Sequence, residues 1–239
     1  MKKQKRTDGS IFEIPINNGE YYVYGQILPN SFDAFFDFRS TIQLTDFSVL
    51  LTVPILFRIG TYRYVIGSGE WLKVGKLPIR DDLKMPLKSY IYHSHNNKYE
   101  LYDCDTGNIY PATKEMAKGL ENCAVWTSED VEDRIKAHYI GAGCLALIKD
   151  YELFGFPEDV KHNEIMAKVT SVIFVTTEYN RVVYNFELNG NIYERSYNDF
   201  NQKYKIGDDI KIVYSIVNPA VCYCADEKKI ATNNIQKQE

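Results

Sequence analysis

Near its start the chain spells out a β-hairpin: Ile11-Phe12-Glu13-Ile14-Pro15-Ile16, then Asn17-Asn18-Gly19, then Tyr21-Tyr22-Val23-Tyr24-Gly25-Gln26-Ile27-Leu28. Two β-rich runs flank residues that tolerate positive φ, which commits this segment to antiparallel pairing. Phe12, Ile14 and Ile16 should share one face, and Pro15, which has no N–H for a ladder, suits an edge strand. Further strands are expected at residues 34–39, 53–59, 62–66 and 89–93, separated by turn signals around Gly60, Gly67-Ser68-Gly69 and Pro78. The first half should therefore be mostly β.

Helical signals come later. Thr113 is placed to cap a short helix that stops near Gly119. Residues 128–140 carry the clearest helix: Glu129, Asp130, Glu132 and Asp133 lie near the positive end of the macrodipole, and Lys136 and His138 near the negative end before Gly141. Val131, Ile135 and His138 form the expected inward stripe, with Glu129 and Asp133 opposite it in solvent. The stretch around Gly141-Ala142-Gly143 and residues 151–163 read as a passage between domains. Beyond it, strands are expected at 168–176, 181–188, 191–197 and 209–216, with Asn189-Gly190 as a type I′ hairpin turn. The fold class is thus α+β and β-rich. A mostly antiparallel β domain, residues 1–160, has one or two helices near its end; a small all-β barrel or sandwich, 161–239, follows it and ends in a polar, frayed tail over 228–239. A fragment of residues 1–160 is expected to fold alone.

Composition excludes several classes. With 239 residues, 45% of them apolar and 14% aromatic, the chain has ample core-forming side chains and is not globally disordered. No run of eighteen apolar residues occurs, and Lys2-Lys3-Gln4-Lys5-Arg6 leads into Thr7-Asp8-Gly9-Ser10 rather than the apolar run of a secretory signal. A soluble, cytoplasmic protein without membrane contact is expected. Five cysteines, at 104, 123, 144, 222 and 224, make no disulfide framework in a chain of this size and should be reduced. The net charge of −4 argues against a generally basic nucleic-acid binder. Its distribution is uneven: residues 7–160 hold 14 Lys+Arg against 22 Asp+Glu, a balance of −8, whereas residues 161–239 hold ten of each.

Signals for catalysis are weak. His93 and His95 would share a strand face at a spacing metals use, yet no further ligands stand at zinc-site spacing. Asp103-Cys104-Asp105-Thr106-Gly107 opens like a calcium loop, but Lys114 occupies the twelfth position, where a bidentate Glu is required, so a turn is expected. Cys222 and Cys224 share a strand face without a basic neighbour or a second cysteine pair, which favours packing over redox or metal chemistry. No Gly-x-Ser-x-Gly elbow, phosphate loop, dinucleotide fingerprint or His-Glu-x-x-His occurs. No cofactor is expected. Trp71, between Gly69 and Gly75, reads either as a binding hot spot or, by preference, as a core anchor.

Six pieces of sequence, in order, resemble the immunity protein 26 family of bacterial polymorphic-toxin systems. They are Gly9-Ser10-Ile11-Phe12-Glu13-Ile14-Pro15-Ile16-x-x-Gly19-x-Tyr21-x-x-Tyr24-Gly25, Pro54-Ile55-Leu56-Phe57-Arg58, Gly69-Glu70-Trp71-x-x-Val74-Gly75-x-x-Pro78, Pro111-Ala112-Thr113, Gly119-Leu120-Glu121, and residues 124–135. The resemblance spans about residues 6–148, and Asp130 stands where that family commonly has a His. It implies a protein that binds and neutralises a cognate toxin domain without turnover, the toxin being a nuclease in many such systems. An acidic inhibitor complements the basic cleft that a nuclease presents to phosphate. Candidate partner-binding residues are Trp71, Glu70, Asp81, Asp82, Glu129 and Asp133, with no direct nucleic-acid contact. The competing readings are a small-ligand sensor and a hydrolase using His93 and His95 with a cysteine.

Overall fold

The computed structural model describes residues 3–225, so the tail at 228–239 lies outside the described residues. Contacts divide the chain into two compact units, residues 1–132 and 133–239. The stretch 133–160, grouped by sequence with the first domain, thus belongs with the second unit.

In the first unit, β1 (Ser10–Ile16) and β2 (Tyr21–Ile27) form the hairpin, with Ile16 facing Tyr21. Asn17, Asn18 and Gly19 turn it at φ 50°, 58° and 89°. The chain continues through β3 (Phe32–Ser40), β4 (Ile55–Thr61), the short helix α1 (Arg63–Gly67) and β5 (Leu72–Lys76). A four-stranded sheet uses β6 (Lys88–His93), β7 (Lys98–Asp103), β8 (Ile109–Ala112) and β9 (Glu121–Asn122), with α2 (Lys114–Ala117) before β9. Then β10 (Val125–Trp126) returns to the first sheet, whose order is β10-β4-β3-β2-β1-β5. Thr113 caps α2, accepting from the Met116 N–H at 3.3 Å.

Two expectations change here. Residues 62–66, expected as a strand, turn into α1, because Val65 and Ile66 are adjacent and both fully buried, which one turn of helix allows and a half-buried strand does not. Pro15 is not on a simple edge: β5 pairs with β1 over Ser10–Glu13, leaving only the Pro15 end of β1 without a second neighbour. The main sheet is buried on both faces. Ile11, Tyr24, Phe36 and Leu50 pack on one side with Phe47 and Leu44; on the other, Phe12 stacks on Trp71 at 5.3 Å and meets Phe35 edge-on at 5.7 Å. Gly25 makes that aromatic layer possible, since a Cβ there would lie 2.2 Å from Phe12 Cζ. The arm before β1 is tied down by Arg6, whose guanidinium donates to both Asp33 oxygens at 2.8 and 3.1 Å. Burial raises the Asp33 pKa, while Arg6 and the Thr61 hydroxyl oppose that rise.

Helix α3 (Ser128–Ile140) spans the division between the units and has the expected limits. In the second unit come α4 (Ile148–Phe154), β11 (His162–Phe174), β12 (Asn180–Leu188), β13 (Asn191–Asp199), β14 (Asp209–Ser215) and β15 (Cys222–Cys224). They form one antiparallel sheet ordered β13-β12-β11-β14-β15. The sheet curls: Tyr184 of β12 meets Cys222 of β15, 3.7 Å from hydroxyl to sulfur, and Arg195 of β13 donates to the Ala220 carbonyl at 2.7 Å. Its concave core holds Val182, Tyr184, Phe186, Ile210, Ile212 and both cysteines. The passage expected around 151–163 is instead built into the unit, because Tyr151 and Phe156 pack with Val213, Val221 and Tyr223. On α3, Val131 and Ile135 are fully buried, but His138 is exposed. Ala137 takes the inward place, since the chain returning after Gly141 packs Ala142 and Cys144 against it.

Candidate functional site

The first unit gathers an aromatic and acidic surface around α1. Val65 and Ile66 point inward, leaving Tyr62, Arg63 and Tyr64 outside. The turn closes with the Ser68 N–H on the Tyr64 carbonyl at 2.7 Å, and Gly69, at φ 85°, donates to Ile66 at 3.1 Å. A glycine suits this left-handed position after a helix. Parallel pairing of β10 with the end of β4, extended by the Tyr62 N–H on the Trp126 carbonyl at 3.1 Å, brings the start of α3 to α1. Thr127 caps α3: its hydroxyl accepts from the Asp130 N–H at 3.2 Å and donates to the Asp130 carboxylate at 2.9 Å.

Tyr62 and Tyr64 are 45% and 51% exposed and stack with ring centroids 5.7 Å apart. Partial desolvation raises the Tyr64 pKa, and the charges of Glu129, Glu70 and Asp130 raise it further. The Glu129 carboxyl is held below its ordinary value by its own backbone N–H and then by the Thr127 hydroxyl. At neutral pH the surface is negative and presents aromatic faces, a combination suited to Lys and Arg cations.

The expected site residues thus separate. Glu70 and Glu129 both act electrostatically on Tyr64. Asp133 is exposed one turn further along α3, where Lys136 approaches it at 3.2 Å. Asp81 and Asp82 occupy the turn before β6, the first paired with Lys84 at 2.8 Å and the second with Arg80. Trp71 has no exposed surface; its indole N–H donates to Glu132 at 3.2 Å, and it anchors the core rather than a partner. Tyr62 and Tyr64 escape a reading of the sequence because Tyr-x-Tyr alternation mimics a strand. The only hint is Gly67-Ser68-Gly69 shortly after them, a stop that suits a helix end.

No catalytic constellation assembles among the other candidates. His93 pairs with Glu100 across the β6–β7 hairpin at 2.8 Å, and His95 lies beyond the strand end with its ring 5.9 Å from that of His93. Among the described residues no group of three or more His, Cys, Asp or Glu could hold a metal ion. The 103–107 segment is a turn, in which Asp103 accepts from the Asp105 and Thr106 N–H groups at 3.0 Å. All five cysteines are free. Cys222 and Cys224 are buried in the second core, where burial pushes the Cys222 thiol up, away from the reactive thiolate.

Residues 7–107 match the family model Immunity protein 26, so this segment of the chain resembles that family of immunity proteins. The match holds Tyr62, Tyr64 and Glu70 and stops before Glu129. Neither a curated protein nor a solved structure matches the chain. No helix among the described residues is long and apolar enough to cross a membrane.

Proposed function

We propose that the chain is a cytoplasmic immunity protein that binds a cognate bacterial toxin and neutralises it by occupying its surface, without turnover. The family match over residues 7–107 carries this reading. The surface around α1 supports a partner of basic character, of the kind a nuclease presents to phosphate: exposed Tyr62 and Tyr64 offer ring faces, and Glu70, Glu129 and Asp130 offer charge. Capture from the source lysate should retain a toxin domain. Replacing Glu70 and Glu129 with Lys should then slow association about tenfold at low salt, with the difference shrinking as ionic strength rises. Equal association rates at low salt would remove this surface from the interface, and a lysate that yields no toxin would remove the function.

A further inference from the structure

Between the β2–β3 connection and the turn before β6 opens a cleft of about 160 Å³. Its floor is hydrocarbon, from Leu28, Phe32, Ile79, Leu83 and Leu87. Arg58 of β4 reaches into it. That guanidinium gives one N–H to the Met85 carbonyl at 3.2 Å and forms no ion pair among the described residues. An arginine has five N–H donors, so most of its capacity is left for solvent or a ligand at the mouth of a cleft with an apolar floor. In a unit rich in carboxylates, the other charged residues lining the cleft are already engaged: Lys84 with Asp81 at 2.8 Å, and the Asp105 carboxylate with the Asn30 amide at 3.0 Å.

Between the lining residues Pro29 and Phe32 the chain makes a left-handed turn that does not itself line the cleft. Asn30 and Ser31, consecutive and neither a glycine, sit at φ 59° and 67°. Asn tolerates this region; Ser does so less readily, and two in succession are uncommon. The conformation is held from both sides, by Asp105 on Asn30 and by Arg63 Nη2 donating to Ser31 Oγ at 3.4 Å. The cleft volume is below the roughly 300 Å³ at which drug-sized sites begin, so the occupant is small.

We propose that this cleft binds a small free carboxylic acid with an apolar body, its carboxylate on the Arg58 guanidinium and its hydrocarbon against Leu28, Leu83 and Leu87. Planar guanidinium and carboxylate match as two parallel hydrogen bonds, which an amide of the same shape cannot reproduce. The assignment is independent of toxin binding. The test is titration of the full chain with 3-phenylpropionate, followed by the methyl NMR signals of the cleft leucines. Saturable shifts at roughly millimolar concentration are expected for so few atoms, and 3-phenylpropionamide should bind at least tenfold more weakly. Arg58→Met, which keeps the aliphatic stem, should lose the preference for acid over amide. The comparison of acid with amide on the unaltered protein decides the matter even if that variant does not fold. No shift of the cleft methyls up to ten times that concentration, equal binding of acid and amide, or tighter binding of a peptide ending in Phe than of the free acid would each overturn the proposal.

Discussion

The two large sheets bury themselves in opposite ways. In the second unit, β12 alternates, with Val182, Tyr184 and Phe186 buried and the residues between them more exposed, so one face meets the core and one meets solvent. In the first unit, β1 is buried at Ser10, Ile11, Phe12, Glu13 and Ile14 in succession. A sheet covered on both sides needs something other than alternation to order its layers, and here aromatic stacking against glycine supplies it. Phe12 lies where Gly25 leaves space, and Trp71 stacks on Phe12. A two-faced core is specified by shape at a few positions, whereas a one-faced core is specified by period and tolerates local change better.

The sharpest way to break this comparison is Trp71→Ala. Removing a fully buried indole from a layered aromatic core should cost about 3–5 kcal/mol. If the two cores are separate, as we propose, thermal unfolding followed by calorimetry should show one transition lowered and another unmoved; a single transition shifting as a whole would mean one cooperative unit.

Truncation asks where the boundary falls. A fragment ending at residue 160 keeps Tyr151 and Phe156 but strips away Val213, Val221 and Tyr223, against which they pack. It should expose apolar surface and bind a hydrophobic dye, whereas a fragment ending at 140 should not. Equal dye binding by the two fragments would place the division at 160 after all.

A smaller effect distinguishes the units by pH. Burial raises the Asp150 carboxyl of α4 from 3.8 to about 6. Its folded form therefore holds the proton more tightly than its unfolded form, so its contribution favours folding as pH falls from about 6 towards 4 and is lost above 6. The difference is roughly 3 kcal/mol, and Glu152, raised for the same reason, acts in the same direction. Asp150→Asn should stabilise the second unit at pH 7 and flatten its pH dependence between 4 and 7, read from denaturant midpoints. An unchanged slope would show that water reaches this carboxyl.

The smallest effect is local. Gly190 sits at φ 78° in the β12–β13 turn, and a methyl group added there would have no atom within 4 Å, so Gly190→Ala meets only backbone strain. That should cost about 1–2 kcal/mol, read from the denaturant midpoint of the second unit. A loss as large as that of Trp71→Ala would mean that the turn, and not the alternating face, organises this sheet.

How much of the fold is legible in the chain follows from what each signal depends on. The β1–β2 and β12–β13 hairpins, the limits of α3 and the strands of the second unit are readable from turn chemistry, capping and alternation, which are properties of neighbours in the chain. The segment at 62–66, which alternates like a strand and folds as a helix, shows the limit of such signals. Five residues cannot declare a period, and α1 exists because the core accepts Val65 and Ile66 together. The same limit hides the surface around Tyr64 and the cleft under Arg58. Glu70 and Glu129 are 59 positions apart, and the parallel pairing of β10 with β4 brings the start of α3 to α1, so that both charges act on Tyr64. Residue chemistry along the chain determined the β-rich class, the acidic character of the first segment and the family resemblance. Which carboxylates act together and which tryptophan is withdrawn from the surface were decided by tertiary packing, because pairing and burial are relations between residues distant in sequence.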